Sequence, residues 1–257
     1  MAQYVFGSGA LWGTRTVDAS GVAIPATALV PIKFGVLQSV NFEFNSEVAQ
    51  LRGSRQFAEL VVRTSSEIKI TAAAAQISGR FFNDLFFGQS LIAGYQSTVD
   101  DLVGVLVPAT PFTITVTPPA SGTFVRPLSV RGDNEVELTR VAATPSSGQY
   151  TVSAGGAYVF AAADTGRRVY ISYVYSATLA GAQRSTITNL QMGSAPFFSL
   201  DYYGQIDGKS AVFTFPRCVS SKLSLSLSNT DFAIPNLEIS AFNDPVTNSV
   251  MSYALVE

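Results

Sequence analysis

Two copies of Asp164-Thr165-Gly166 could set two carboxylates around one shared proton, the arrangement with which an acidic pair activates water. Arg167 and Arg168 follow at once, and two cations beside that carboxylate hold it ionised. The triplet also falls where one strand pattern turns back into the next, so its expected role is a turn. Arg131-Gly132-Asp133 spells an integrin-type tripeptide, but three-residue matches arise often by chance and nothing else points to export. Gly7-Ser8-Gly9 lacks the spacing of a dinucleotide loop and the strand-then-helix pattern around one, and reads as a flexible arm. Asp100 and Asp101 are adjacent; in a loop they could hold a cation weakly, and a solvated loop is expected. Asp18, Glu47, Glu59, Asp201, Asp207, Asp231 and Asp244 stand singly, without a spacing suited to metal or acid–base work.

What the chain lacks narrows the chemistry further. It has no histidine, which removes the commonest general base, the Ser-His and Cys-His pairs and most transition-metal ligation. Its single cysteine, Cys218, can form neither an intrachain disulfide nor a cysteine-cluster zinc site. The expectation is no enzyme, no cofactor and no metal. Charged residues are 13% of 257, about half the roughly 25% usual in soluble domains. A surface so poor in charge suggests burial against other copies. The net charge of −2, with basic residues scattered, gives no footprint for tight nucleic-acid binding. No apolar run approaches the roughly 20 residues of a membrane span, and the opening residues do not resemble a signal peptide, so synthesis in a cytoplasm is expected.

The elements that would position such residues are mostly strands. Apolar and polar residues alternate with period two. Val36, Gln38, Val40, Phe42 and Phe44 are expected on one face and Leu37, Ser39, Asn41, Glu43 and Asn45 on the other, which is wet or interfacial. Ile68, Ile70 and Ala72 are set opposite Arg63, Ser65, Glu67 and Lys69. Ser220 to Ser228 reads as a third strand, with Leu223, Leu225 and Leu227 inward. One segment departs: Phe81, Phe82, Leu85 and Phe86 have helical spacing, with Ser78 as N-cap and Gly88 as C-cap. A Pro-, Thr- and Ser-rich stretch from Pro108 to Pro127 precedes further strand patterns. Among these, Tyr150-Thr151-Val152, Tyr158-Val159-Phe160 and the face Val169, Ile171, Tyr173, Tyr175 suggest a small antiparallel sandwich.

Phe6 to Gly13, Lys33 to Val40, Gln50 to Phe57, Lys69 to Ile77 leading into Phe81 to Gly88, Cys218 to Leu223 and Asp231 to Pro235 together resemble, in the same order, bacteriophage tail tube proteins. The resemblance covers residues 1–96 and 185–257. It departs at Arg52, where the family carries an aromatic before the glycine, and at Ala58, where a proline is expected. It implies a tail-tube-type β-sandwich with one short α-helix, formed by residues 1–100 and 185–257, with residues 101–184 as an inserted, outward-facing β module. Six copies would close a continuous β-barrel and the rings would stack into a conduit. The implied partners are further copies of the chain, a tape measure protein and tail terminator and tip proteins. Genome DNA would pass through the lumen without specific binding, in a virion tail assembled in the host cytoplasm, with no membrane involved.

Within that frame Tyr4, Phe6, Leu11, Trp12, Leu51, Arg52 and Phe57 are candidate contacts between subunits or rings. Ser39, Asn41, Glu43, Arg63, Ser65, Glu67 and Lys69 are candidates for the lumen. The alternative is a carbohydrate-binding or adhesin module using Tyr202, Tyr203 and the inserted sandwich. An enzyme working with carboxylates alone is a third reading.

Overall fold

The computed structural model describes residues 7, 9–52, 54, 56–76, 78–206 and 209–255. The protein is mostly β, with several antiparallel sheets and one short helix, and it divides into two compact units. Met1–Ser90 with Ser185–Glu257 form the first and Leu91–Arg184 the second. The first unit opens with strands β1 (Ala10–Val17), β2 (Pro31–Lys33), β3 (Leu37–Arg52) and β4 (Ala58–Ala74). The second carries β5 (Ile92–Ala93), β6 (Tyr95–Val99), β7 (Val105–Leu106), β8 (Thr113–Thr115) and β9 (Thr123–Gly132). It continues with β10 (Thr139–Arg140), β11 (Gln149–Val152), β12 (Ala157–Phe160), β13 (Arg168–Ala177) and β14 (Gln183–Arg184). The chain then returns to the first unit with β15 (Phe197–Ile206), β16 (Lys209–Ser224), β17 (Asn236–Ala241) and β18 (Ser252–Leu255). Residues 91–100, expected with the flanking segments, lie in the second unit because β6 pairs β13 and β5 pairs β14.

In the first unit, eight strands form one sheet in the order β2-β1-β15-β16-β17-β4-β3, with β18 added to β16. The sheet curls. Phe42 of β3 reaches Tyr202 of β15 at 5.2 Å and Phe215 of β16 at 5.7 Å between ring centroids, although these strands are four and three places away in the order. Its concave face is lined by Leu11, Ile70, Leu200, Phe215, Leu237 and Ile239, all buried. Each such side chain contributes about 1.5–3 kcal/mol by leaving water. No closed barrel forms among the described residues: β2 and β3 end the path without meeting.

The helix closes this face. Ser78 caps it, its hydroxyl accepting from the Phe81 N–H at 3.1 Å, as its position before an apolar stripe predicts. The α-helix α1 (Gly79–Phe82) then widens into a π turn over Asn83–Phe87, ended by Gly88 at φ 65. Phe81 and Leu85 point into the core. Gly13 on β1 makes room, since a Cβ there would stand 2.6 Å from a Leu85 methyl. The wide turn also rotates Asn83 and Asp84 inward, which an unbroken α-helix would not do.

The second unit contains two four-stranded sheets, β10-β11-β12-β8 and β6-β13-β7 with β9 on the other edge of β13. Its core is aromatic, with Tyr158 against Tyr150 and Phe124 against both Tyr158 and Tyr173. Val169, Ile171, Tyr173 and Tyr175 are all buried, matching their common face in sequence. Only β10 and β11 pair in parallel; the other strand pairs of this unit are antiparallel.

Two strand expectations are corrected by register. A bulge at Gln38, between the pairs Leu37–Ala74 and Ser39–Ala73, turns Leu37 into the core and leaves Val36 outside. The strand expected over Ser220–Ser228 ends at Ser224, because its neighbour β17 starts at the paired Asn236. Leu225 and Leu227 therefore lie outside the sheet, exposed.

Candidate assembly interface

β3 and β4 are the longest hairpin of the molecule's described part, 16 and 17 residues. Near its base the hairpin belongs to the sheet, because β17 pairs β4 from Ile68 to Ala73. Farther out, from Ala58 to Glu67, β4 pairs only β3, so a two-stranded ribbon projects past the sheet. From Ser39 to Arg52, β3 pairs β4 on one side and no described strand on the other. A long open edge of this kind, without proline, offers its N–H and C=O groups to another chain. The second unit differs: its strand β9 is interrupted by Pro127 and by bulges at Val125 and Leu128, devices that blunt an edge.

The face of the hairpin turned away from the core is polar. Ser39, Asn41, Glu43, Asn45 and Glu47 of β3 share it with Ala73, Thr71, Lys69, Glu67 and Ser65 of β4 by direct pairing. Asn41 donates to Glu43 at 2.9 Å, the Ser65 hydroxyl donates to Glu47 at 2.9 Å, and Lys69 pairs with Glu67 at 3.3 Å. The same face runs on through Glu238 of β17 and Lys222 of β16, which meet at 2.8 Å. Four glutamates against two lysines leave it acidic. Six of the seven lumen candidates lie together here; Arg63 does not. A bulge at Thr64 sets Arg63 opposite Val48, on the other face of the ribbon from Ser65.

The contact candidates separate in the same way. Tyr4 and Phe6 lie outside the described residues. Leu11 is fully buried in the first unit's own core and so is no contact with a neighbour, because β1 is held between β15 and β2 rather than forming an arm. Trp12, next along the strand, is half-buried on the opposite face, with the Lys33 ammonium 5.8 Å from its ring centroid. Gly9 is likewise no free arm, since a Cβ there would meet the Tyr203 carbonyl at 2.5 Å. Leu51, Arg52 and Phe57 are exposed at the ribbon's end, with Phe57 84% accessible.

The residues with possible chemistry are occupied by structure. Asp164 is buried, accepting from the Ser147 hydroxyl at 2.7 Å, the Gly148 N–H at 3.1 Å and Arg167 at 3.1 Å. This is the expected turn, tied down by its own carboxylate. Asp100 is exposed, as expected of a solvated loop, whereas Asp101 is half-buried and bound. Asp100 accepts from the Ser172 hydroxyl at 2.9 Å, and Asp101 from the N–H groups of Val103, Gly104 and Ile171. Burial pushes the Asp101 carboxyl up, but those three N–H groups outweigh it and hold it below its ordinary value. Arg131 pairs with Glu135 at 2.8 Å, and Asp133 faces Arg167 at 3.8 Å. A cavity of about 290 Å³ in the first unit is bordered by Arg15 and Asp84, themselves paired at 3.3 Å. Asn83 donates to Asp84 at 2.8 Å and to the Gln89 carbonyl at 2.7 Å. Among the described residues no three His, Cys, Asp or Glu side chains are grouped to hold a metal.

The glycan platform is not formed as expected. Tyr202 is 5% exposed, its ring stacked on Phe213 in the core, and Tyr203 points from the opposite face with its hydroxyl on Gln205. Residues not singled out in the sequence matter more: Val48, Leu60, Val61 and Val62 on the ribbon, and Phe232 beyond β16, are large, apolar and exposed. The Leu60-Val61-Val62 run was the available signal, since three consecutive apolar residues in a strand cannot all face one core. No protein-family model matches the sequence, and no curated protein matches it.

Proposed function

We propose that this chain is a structural protein that assembles with copies of itself into rings and stacks them as the tail tube of a bacteriophage, a conduit for genome DNA. The observation that carries the reading is the open edge of β3, 14 residues from Ser39 to Arg52 with no proline and no covering element among the described residues. Such an edge invites pairing, and a chain that keeps one while blunting β9 is built to be joined there. Joining copies edge to edge would extend the curled sheet and, in a closed ring of six, remove the open edges of that sheet. The acidic polar face through Glu43, Glu67 and Glu238 suits a wall past which phosphates slide, because a basic wall would hold each phosphate it met. Ser39, Asn41, Glu43, Ser65, Glu67 and Lys69 are the lumen candidates in this reading. No catalytic, cofactor or metal role is assigned; the tape measure, terminator and tip proteins of such a tail are the expected partners. Negative-stain microscopy of the purified chain over a rising concentration series tests it. Rings or tubes are expected, and a particle that stays monomeric at the highest concentration refutes it.

A further inference from the structure

The second unit leaves one sheet edge open over an apolar cleft. β8 ends its sheet, pairing β12 on one side and no described strand on the other. Val116 donates to the Gly156 carbonyl at 3.1 Å and Phe160 to the Phe112 carbonyl at 3.0 Å, so Phe112, Ile114 and Val116 are the residues that bond β12. Thr113 and Thr115 therefore point their N–H and C=O groups away from it, toward the open side. Phe112 to Thr117 contains no proline, while Pro111 and Pro118 close it at both ends. The open stretch is six residues, about 20 Å of strand.

The facing edge, in the other sheet of this unit, is closed to pairing. β6 ends at Val99 and β7 begins at Val105, and between them Asp101 accepts the Ile171 N–H at 3.2 Å, in the place of a strand. A carboxylate set into an edge discourages a further strand there. Between the two edges lies a cleft of about 230 Å³, lined by Val99, Val105, Ile114, Val116, Ile171 and Tyr173. Asp101 is its single charged residue, and three N–H groups fill that carboxylate. Leu102 and Val103, in the bend between β6 and β7, are 76% and 79% exposed. Free backbone groups at the rim and apolar groups within call for an extended chain. Its own N–H and C=O groups satisfy Thr113 and Thr115, while alternate side chains enter the cleft. Ile114 and Val116 pack toward the core, so residues set opposite them in an added strand share that face. Those residues must be uncharged, because a charge in this cleft would lose water and gain no partner. A small apolar ligand would fill the cleft and leave the backbone edge unused.

We propose that the second unit binds an extended segment of a partner protein by adding it as a strand to β8, with uncharged apolar residues at alternate positions over the cleft. This binding belongs to the second unit alone and is independent of assembly into tubes. The full-length chain, kept below the concentration at which it forms rings, is titrated with the labelled peptide Lys-Thr-Val-Thr-Val-Thr-Lys, whose end charges keep it dissolved. Fluorescence anisotropy and hydrogen exchange are read. Saturable binding below about 1 mM is expected, with slowed exchange over residues 112–117 and none over β15 and β16. Methylating the backbone nitrogens of the two valines, or separately those of the three threonines, should weaken one peptide by about thirtyfold and leave the other near the parent. Only one of these sets of N–H groups faces β8, whichever way the strand runs. Thr115→Pro removes an N–H that bonds nothing within the chain, and should lose the peptide to the same degree with an unchanged thermal melt. Val105→Glu, at a half-exposed position on the cleft, should do so by setting a charge against the incoming side chains. No binding at about 1 mM, equal weakening of both methylated peptides, or full binding to both protein variants overturns the proposal. So does exchange over residues 112–117 that slows with rising protein concentration alone, which assigns the edge to a second copy.

Discussion

Replacing Asp164 by alanine should loosen the second unit and leave the first untouched. The carboxylate is 1% exposed and accepts two hydrogen bonds from neutral donors, the Ser147 hydroxyl and the Gly148 N–H, besides its contact with Arg167. Arg167 is 40% exposed, so water screens most of what that pair contributes. The two neutral donors lose their partner, at about 1.5 kcal/mol each, which gives a total near 3 kcal/mol. A free-energy change of that size accelerates exchange through opening of the unit by about a hundredfold. Hydrogen exchange read by mass spectrometry should show this over β11, β12 and β13, while β15 and β16 keep wild-type protection. Asp164→Asn, which preserves shape and one acceptor, should lose about tenfold. Less than about threefold acceleration in the alanine variant, or equal acceleration in both units, would refute the clamp.

Asp101 has a folded pKa below its unfolded value, so its stabilisation is complete above the ordinary carboxylate range and is lost as pH falls through the folded value. The melting temperature of the second unit should therefore drop on acidification below about pH 4, and Asp101→Asn should flatten that drop while lowering stability at neutral pH. Gly13→Ala places a methyl against Leu85 and should destabilise the first unit by about 1–3 kcal/mol in thermal melts, with Leu85→Ala restoring part of the loss. Cys218 is fully buried and burial pushes its thiol up, so a thiol reagent at neutral pH should label it only after denaturation.

The legible parts of the fold were those where alternation ran unbroken. Ile68, Ile70 and Ala72 turn inward as their spacing predicts, as do Val169, Ile171, Tyr173 and Tyr175. Ser78 and Gly88 were readable as caps because capping is decided by local geometry. Failures occur at bulges, where one added residue swaps the two faces of the strand: Leu37 at the Gln38 bulge and Arg63 at the Thr64 bulge. Leu225 and Leu227 alternate as well as any strand in the chain, yet a strand needs a partner, and β17 supplies none past Asn236. The same limit explains the ribbon. Its run Leu60-Val61-Val62 lies where β4 pairs β3 alone, beyond the reach of β17, so no described strand covers it.

The aromatic residues are divided so that each unit carries its own optical signal. Trp12 is the chain's single tryptophan and lies on β1 beside Lys33, in the first unit. Six of the ten tyrosines, Tyr95, Tyr150, Tyr158, Tyr170, Tyr173 and Tyr175, belong to the second. Excitation at the red edge of aromatic absorption therefore follows the first unit alone, while the tyrosine near-ultraviolet dichroism is weighted toward the packed cluster of the second. The unlabelled protein thus reports which unit melts first, and Lys33→Met would alter the colour and brightness of one signal without touching the other.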